Sequence, residues 1–308
     1  YSRGVTVKLV GDGDNPVNPN INVNIPRKSR SSSAGSGIQH NKMIVVDPGT
    51  KNAKVAMGSA NWTTGGMSMQ YNNAIVFYLP EIVNAYNREF EEMFGGKFAG
   101  GTADNTVVTA PDGTRVEIYF STEENWLDKM LSAIKTAKES VFFIANNISQ
   151  FSSGNSSNAI ADAALDAKKN GALIEGVFDD GYYNRNVSKP VIDRLVSEKI
   201  DARLIKNPNS SSDKCHNKTV IIDGKLVITG SANFTRAAQD SNDENQIYIY
   251  SEILAREYLK YYRKLMSISD ARISAPTFEE YAPINIKNVN AVLSANGFNV
   301  SWSASTVK

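Results

Sequence analysis

The chain has two histidines, and each opens the same pattern. The first reads His40-Asn41-Lys42, then an apolar run to Asp47, a turn, and Gly58-Ser59-Ala60-Asn61. The second reads His216-Asn217-Lys218, an apolar run to Asp223, a shorter turn, and Gly230-Ser231-Ala232-Asn233. A neutral imidazole can attack phosphorus and form a phosphohistidine, dividing one difficult displacement into two easier ones. A second imidazole can protonate the leaving oxygen and then take a proton from water. Both roles are open near neutrality, because free histidine titrates near pH ~6.5. Lys42 and Lys218 supply cationic donors for phosphoryl oxygens. Asn61, Asn233, Ser59 and Ser231 supply neutral donors for charge that grows in the transition state. In a strand, residues i and i+2 share a face, so His-x-Lys aims both side chains at one phosphate. The lysines perform the neutralisation, so no metal and no cofactor is expected. One cysteine and two histidines also make a poor set for zinc.

A histidine that acts as nucleophile or base needs its second nitrogen held by an acceptor. Glu244, eleven positions after Asn233, is the candidate, and it can orient either histidine. The matching position in the first copy is Asn72, so the two copies are not chemically equal. Asp47 and Asp223 either add orienting hydrogen bonds or close the hairpins. Arg27, Lys28 and Arg30 read as an exposed basic loop, with contact to substrate phosphate as the functional alternative. Cys215 reads as a packing residue.

Elements must bring these residues together. Met43 to Val46 and Lys54 to Met57 read as a hairpin with Asp47-Pro48-Gly49-Thr50 at its turn, which places His40 and Asn61 at neighbouring ends. Before it, Gly4 to Val10 alternate as a strand, and residues 21–25 suggest a short one. After it come a strand over 74–78 and a helix over 80–94. Further on, the pattern predicts strands over 116–120, 141–148 and 174–178. It predicts helices over 123–138, 159–169 and 191–199. Then the order repeats. Gly171 to Asp179 match Gly4 to Asp12. Asn207 to Lys214 form a Ser-rich lead-in to His216, as residues 27–39 do to His40. Residues 246–250 and 252–267 match the strand and helix after the first motif. The period is that of a duplicated domain and not of a solenoid.

The expected organisation is therefore a first half over 1–100, a Gly- and Thr-rich linker over 101–114, a second half over 115–272 and a tail over 273–308. The second half has a strand–helix–strand–helix block before its equivalent of residue 4. The first half is expected to have lost that block. The tail carries strand-like stretches at 284–289 and 299–303, and resembles the opening of a fibronectin type III domain; a strand-like or disordered tail is the alternative. The 308 residues, 41% hydrophobic and 21% charged, suit a large packed core. A formal charge of +1 gives no support to a strongly basic nucleic-acid binder. Cys215 stands alone, so no intrachain disulfide exists and the compartment is unmarked.

The paired elements, His-x-Lys-(x)4-Asp followed by Gly-Ser-x-Asn, resemble the signature of the phospholipase D superfamily, and the resemblance covers residues 4 to about 267. It implies an α/β fold of two similar halves, each a mixed β-sheet flanked by helices, whose motifs meet at one pseudo-twofold interface. It implies a metal-independent phosphodiesterase acting on phospholipid or nucleic acid, with His40 attacking and His216 serving as acid and base. Both motifs lie in one chain, so a monomer is expected. The second copy, with Phe234-Thr235-Arg236-Ala237-Ala238 and Asp243-Glu244-Asn245, looks most like the bacterial endonuclease branch. A surface-binding protein with a vestigial site is the reading outside enzymology.

Overall fold

The computed structural model describes residues 4–14, 21–31, 36–151, 157–206, 214–270, 289–294 and 297–302, the last two as backbone only. The expected lead-in at 207–213 and strand-like stretch at 284–288 lie outside these residues.

The first half contains β1 (Leu9–Asp12), β2 (Arg27–Arg30), β3 (Met43–Val46), β4 (Lys54–Gly58), α1 (Thr64–Ser68), β5 (Asn72–Phe77) and α2 (Pro80–Phe94). The second contains β6 (Thr106–Thr109), β7 (Arg115–Ser121), α3 (Trp126–Lys135), β8 (Ser140–Ala145), α4 (Ala159–Lys169), β9 (Leu173–Asp179), α5 (Asp180–Asn184), α6 (Lys189–Ser197) and β10 (Asp201–Ile205). It continues with β11 (Lys218–Ile222), β12 (Leu226–Gly230), α7 (Arg236–Asp240), β13 (Glu244–Tyr250) and α8 (Glu252–Ser267). A last hairpin is β14 (Val289–Ser294) and β15 (Gly297–Trp302).

Eight strands of the second half form one mixed sheet in the order β10-β9-β8-β11-β12-β13-β7-β6. In the first half, β3, β4 and β5 form an antiparallel meander, and β15 adds to β5 in parallel. The sequence explains why the large sheet is covered on both faces. Its central strands, such as Val220-Ile221-Ile222 and Leu226-Val227-Ile228, are continuous apolar runs and not alternations. Val220, Ile222 and Ile228 face a core closed by α3, α4 and α6, to which Trp126, Met130, Ile160 and Ile192 contribute. Ile221, Val227, Ile247 and Phe142 face a second core with Tyr258, Tyr262 and Leu265 of α8. Met57, Ile75 and Phe77 of the first half, with Ile82 and Tyr86 of α2, belong to that same second core. The two halves thus share one interior. Tyr86 of α2 meets Phe120 of β7 edge to face at 5.3 Å.

Three expectations are corrected. The first strand begins at Leu9 and not at Gly4, because its partner β2 runs alongside only from Arg27. Residues 27–30 are that partner strand and not a loop. Part of the linker, Thr106–Thr109, is the edge strand of the large sheet, turned back onto β7 by Pro111-Asp112-Gly113. The short helices α1 and α7 were not read from the sequence. Each is capped by the threonine two positions after the motif asparagine: Thr63 Oγ1 accepts from Gly66 N at 3.1 Å, and Thr235 Oγ1 from Ala238 N at 3.3 Å.

Candidate active site

Each histidine sits just before the first strand of its hairpin and is zipped to the other half. His40 N donates to Asp243 O and Asp243 N to Ile38 O, both at 2.9 Å. His216 N donates to Tyr71 O at 2.9 Å and Tyr71 N to Lys214 O at 3.1 Å. The side chains repeat the exchange: Asn245 Nδ2 donates to Asn41 Oδ1 at 2.7 Å, and Asn73 Nδ2 to Asn217 Oδ1 at 3.0 Å. The amide before each histidine is held by an aspartate of its own half, Gln39 N by Asp12 and Cys215 N by Asp179, both at 2.9 Å. Asn41 and Asn217, Asn73 and Asn245, and Asp12 and Asp179 are identical pairs across the repeat. That identity was the available signal for them.

The histidines therefore take their acceptors across the interface. His40 Nδ1 lies 2.8 Å from Glu244 Oε2 and 2.9 Å from Oε1. Glu244 also accepts from Ser231 Oγ at 2.6 Å and Asn242 Nδ2 at 3.0 Å. His216 Nδ1 lies 2.9 Å from the Ser59 carbonyl and 3.2 Å from Asn72 Oδ1. Asn72 occupies the position of Glu244 and accepts from Ser59 Oγ at 2.9 Å, as Glu244 does from Ser231. One imidazole thus faces a carboxylate, the other a neutral carbonyl and amide.

Lys42 Nζ and Lys218 Nζ each donate to the carbonyl of the histidine two positions earlier, at 2.6 Å. Each ammonium is thus anchored with two of its three protons left over. Both lysines are buried. Burial lowers Lys42 to about 8 against the pull of Glu244, and it drives Lys218 further down, with Lys42 adding repulsion. Burial also lowers both histidines. For His40, Glu244 opposes the shift; for His216, the charges of Lys218, Lys42 and Lys214 add to it. Burial works to raise the Glu244 carboxyl, but the charges of His40 and Lys42 and the bonds from His40 and Ser231 hold it at about 2. At neutral pH the site holds an ionised carboxylate beside the Lys42 ammonium, with two neutral imidazoles.

Several expected site residues lie elsewhere or are otherwise engaged. Ser59 and Ser231 are fully buried, and each hydroxyl proton is committed to Asn72 or Glu244. A hydroxyl has one proton to give, and here it goes to the acceptor beside each histidine. Asp47 and Asp223 sit at the turn ends of the hairpins, five residues beyond the lysines, or ~16 Å away at ~3.3 Å per residue. Asp223 accepts from the amides of Lys138, Glu139 and Ser140 and so ties the hairpin to β8. The side chains of Asn61 and Asn233 make no hydrogen bond among the described residues, and Asn233 Oδ1 is buried without a partner. The motif glycines have a packing reason. A Cβ on Gly58 would meet Asn73 O at 2.4 Å, and one on Gly230 would meet Asn245 O at 2.2 Å. Either would push the histidine-bearing hairpin off the strand that carries Asn72 or Glu244.

Arg30 is neither exposed nor a phosphate contact. It is 2% exposed and pairs with Asp243 at 2.8 Å, with a further bond to Ser241 O at 2.8 Å. It therefore clamps the segment that leads into Glu244. Among the described residues, the carboxylates of Glu89, Glu92 and Glu123 come close enough to share one cation. No histidine of the paired motif joins them.

The chain belongs to the phospholipase D superfamily: a family profile described as "Cardiolipin synthase, PLD-like domain" matches residues 1–94 and 130–266. A phospholipase D of Rickettsia bellii is 33% identical over 147 residues, which span 48% of this chain and 67% of that protein. A mitochondrial cardiolipin hydrolase of Danio rerio is 32% identical over 144 residues, 47% of this chain and 56% of that protein. Among solved structures, the phosphatidylserine synthase of Haemophilus influenzae matches with a TM-score of 0.57 and 12% identity. It covers 76% of this chain and 63% of its own, a likeness of fold alone.

Proposed function

We propose that the chain, a hydrolase of the phospholipase D type by family, cleaves the headgroup phosphodiester of phospholipids through a phosphohistidine on His40. The observation that carries the assignment is the 2.8 Å bond that His40 Nδ1–H donates to Glu244 Oε2. It holds the tautomer with the lone pair on Nε2. It also places a negative charge where the imidazole turns cationic as its nitrogen bonds to phosphorus. His216, with only neutral acceptors, keeps the more acidic imidazolium and is the better proton donor.

In the first step His40 Nε2 attacks phosphorus, the bond to the leaving oxygen breaks, and that oxygen takes a proton from His216. In the second, His216 removes a proton from water, the water oxygen bonds to phosphorus, and the P–N bond breaks, which returns neutral His40. Lys42 and Lys218, with Asn61 and Asn233 as neutral donors, stabilise the charge on the non-bridging oxygens. The entering phosphodiester charge offsets the lysines that depress His216, which lets it hold the proton it must deliver.

The lipid reading is supported by the family description and by the activities that name the two relatives. Nucleic acid is the second reading, favoured by the second motif's likeness to the endonuclease branch. The test incubates the protein in EDTA with phosphatidylcholine vesicles and with labelled single-stranded DNA, and His40→Ala as control. Headgroup release that survives EDTA and vanishes in the variant is expected. Cleavage of DNA alone would replace the lipid reading. Activity lost to chelation and restored by a divalent ion would overturn the metal-free mechanism.

A further inference from the structure

The second half brings one more cation to the site than the first. Residues 214–216 run extended beside residues 70–72, with Cys215 and Tyr71 forming an isolated parallel bridge. Alternate side chains of an extended segment share a face. Cys215 is buried in the shared core, so Lys214 and His216 point the other way, on the face that leads to Lys218. The mirrored position in the first half, fixed by the Asp243 N to Ile38 O bond, is Ile38.

Lys214 is half-buried, and its ammonium makes no hydrogen bond or ion pair among the described residues. Burial lowers its pKa. Asp179 opposes this, and Arg185, whose guanidinium lies 4.4 Å from the Tyr182 ring centre, adds to it. The Asp179 carboxylate is engaged with the amides of Cys215 and Tyr182. The Lys214 charge reaches Lys42, Lys218 and His216, where it depresses all three. Two lysines with their backbone anchors already serve the scissile phosphate. A third ammonium beside them repels both, and a second anion would relieve that repulsion.

We infer that Lys214 is a specificity-determining residue that binds a second anionic group carried by the leaving alcohol of the substrate. This rests on the assignment of His216 to the leaving oxygen, because Lys214 lies on the His216 side of the site. The preferred substrate class is then a phospholipid whose headgroup carries its own phosphate or carboxylate.

A matched soluble pair isolates the effect: dihexanoyl phosphatidylglycerol and dihexanoyl phosphatidylglycerophosphate, both below their micelle concentrations. They differ only in the second phosphate, and neither presents a charged surface. The readout is the ratio of the two kcat/KM values for the wild type, Lys214→Arg and Lys214→Ile, with thermal midpoints to confirm that each variant folds. The wild type is expected to favour the phosphate-bearing headgroup by about tenfold, the factor that ~1.4 kcal/mol of binding gives. Lys214→Arg keeps the preference through KM, and Lys214→Ile brings the ratio to about one. A ratio unchanged in Lys214→Ile, with both lipids cleaved, overturns the inference and leaves the proposed function standing. Cleavage of neither lipid by the wild type, nor of phosphatidylcholine, overturns both. A phosphate preference seen only in the dinucleotide pair TpT and pTpT overturns the lipid assignment.

Discussion

At the scale of single residues the two halves repeat the contacts of the motif serine and histidine with one change of charge. Glu244 and Asn72 accept from equivalent serines and face equivalent histidines, but only one is charged. That difference gives the site its polarity. Glu244→Gln is expected to lower kcat by about a hundredfold or more, as loss of an oriented base commonly does. Asn72→Asp is expected to raise the His216 pKa. The pH profile of kcat/KM on bis(p-nitrophenyl) phosphate checks both. Attack needs neutral His40, whose pKa lies below 6.5, so activity persists below that pH and is lost as pH falls through the depressed value. Phosphate neutralisation needs protonated Lys42, so activity is gone above about pH 8, and the need for protonated Lys218 and His216, both pushed lower by burial, sets the fall at a lower pH. In Asn72→Asp the pKa of His216 as acid moves up. An unmoved profile in that variant would show that Asn72 does not act on His216.

At the scale of elements, the strand β2 and the lead-in to β13 hold the dyad through one buried ion pair. Arg30 and Asp243 are both almost fully buried, so removing Arg30 leaves the Asp243 carboxylate buried without its counter-ion. Breaking such a pair typically costs ~3–5 kcal/mol, whereas replacing both partners with apolar groups is far milder. Arg30→Met is therefore expected to lower the thermal midpoint strongly, and Arg30→Met with Asp243→Leu to recover most of it by calorimetry. Turnover is expected to stay low in the double variant, because the segment before Glu244 has lost its clamp. Full recovery of kcat would show that the pair serves stability alone.

At the scale of the whole molecule, the two halves share an interior as well as a site. Met57 of β4 packs in the same core as Ile221, Ile247 and Tyr258 of the second half. Met57→Ala is expected to cost ~2–5 kcal/mol, the usual penalty for truncating a buried methionine. It should shift one calorimetric transition for residues of both halves. A second transition at the wild-type temperature would mean that the large sheet melts independently. The shared core also keeps the crossed hydrogen bonds in register, so a loss of packing at α2 reaches His40 through Asn41 and Asn245.

The sequence by itself determined the duplication, the motif chemistry and the elements with strong periodicity. The hairpins after each histidine, α2 and α8 follow from apolar spacing, which local sterics enforce whatever surrounds them. It also marked Glu244 against Asn72, since aligning two copies needs no structure. Only the tertiary structure decided which histidine Glu244 serves. That contact joins residues 204 positions apart across the interface, and no local preference encodes it. The same holds for Arg30, which reads as a surface cation until Asp243 is brought to it. The contacts of the motif serines and aspartates were beyond the sequence for a related reason. Residue type gives what a group can donate or accept, but burial and neighbours decide whether its proton or lone pair is already engaged. The hydroxyls of Ser59 and Ser231 are engaged by their own acceptors, and Asp47 and Asp223 are held at the far ends of their hairpins.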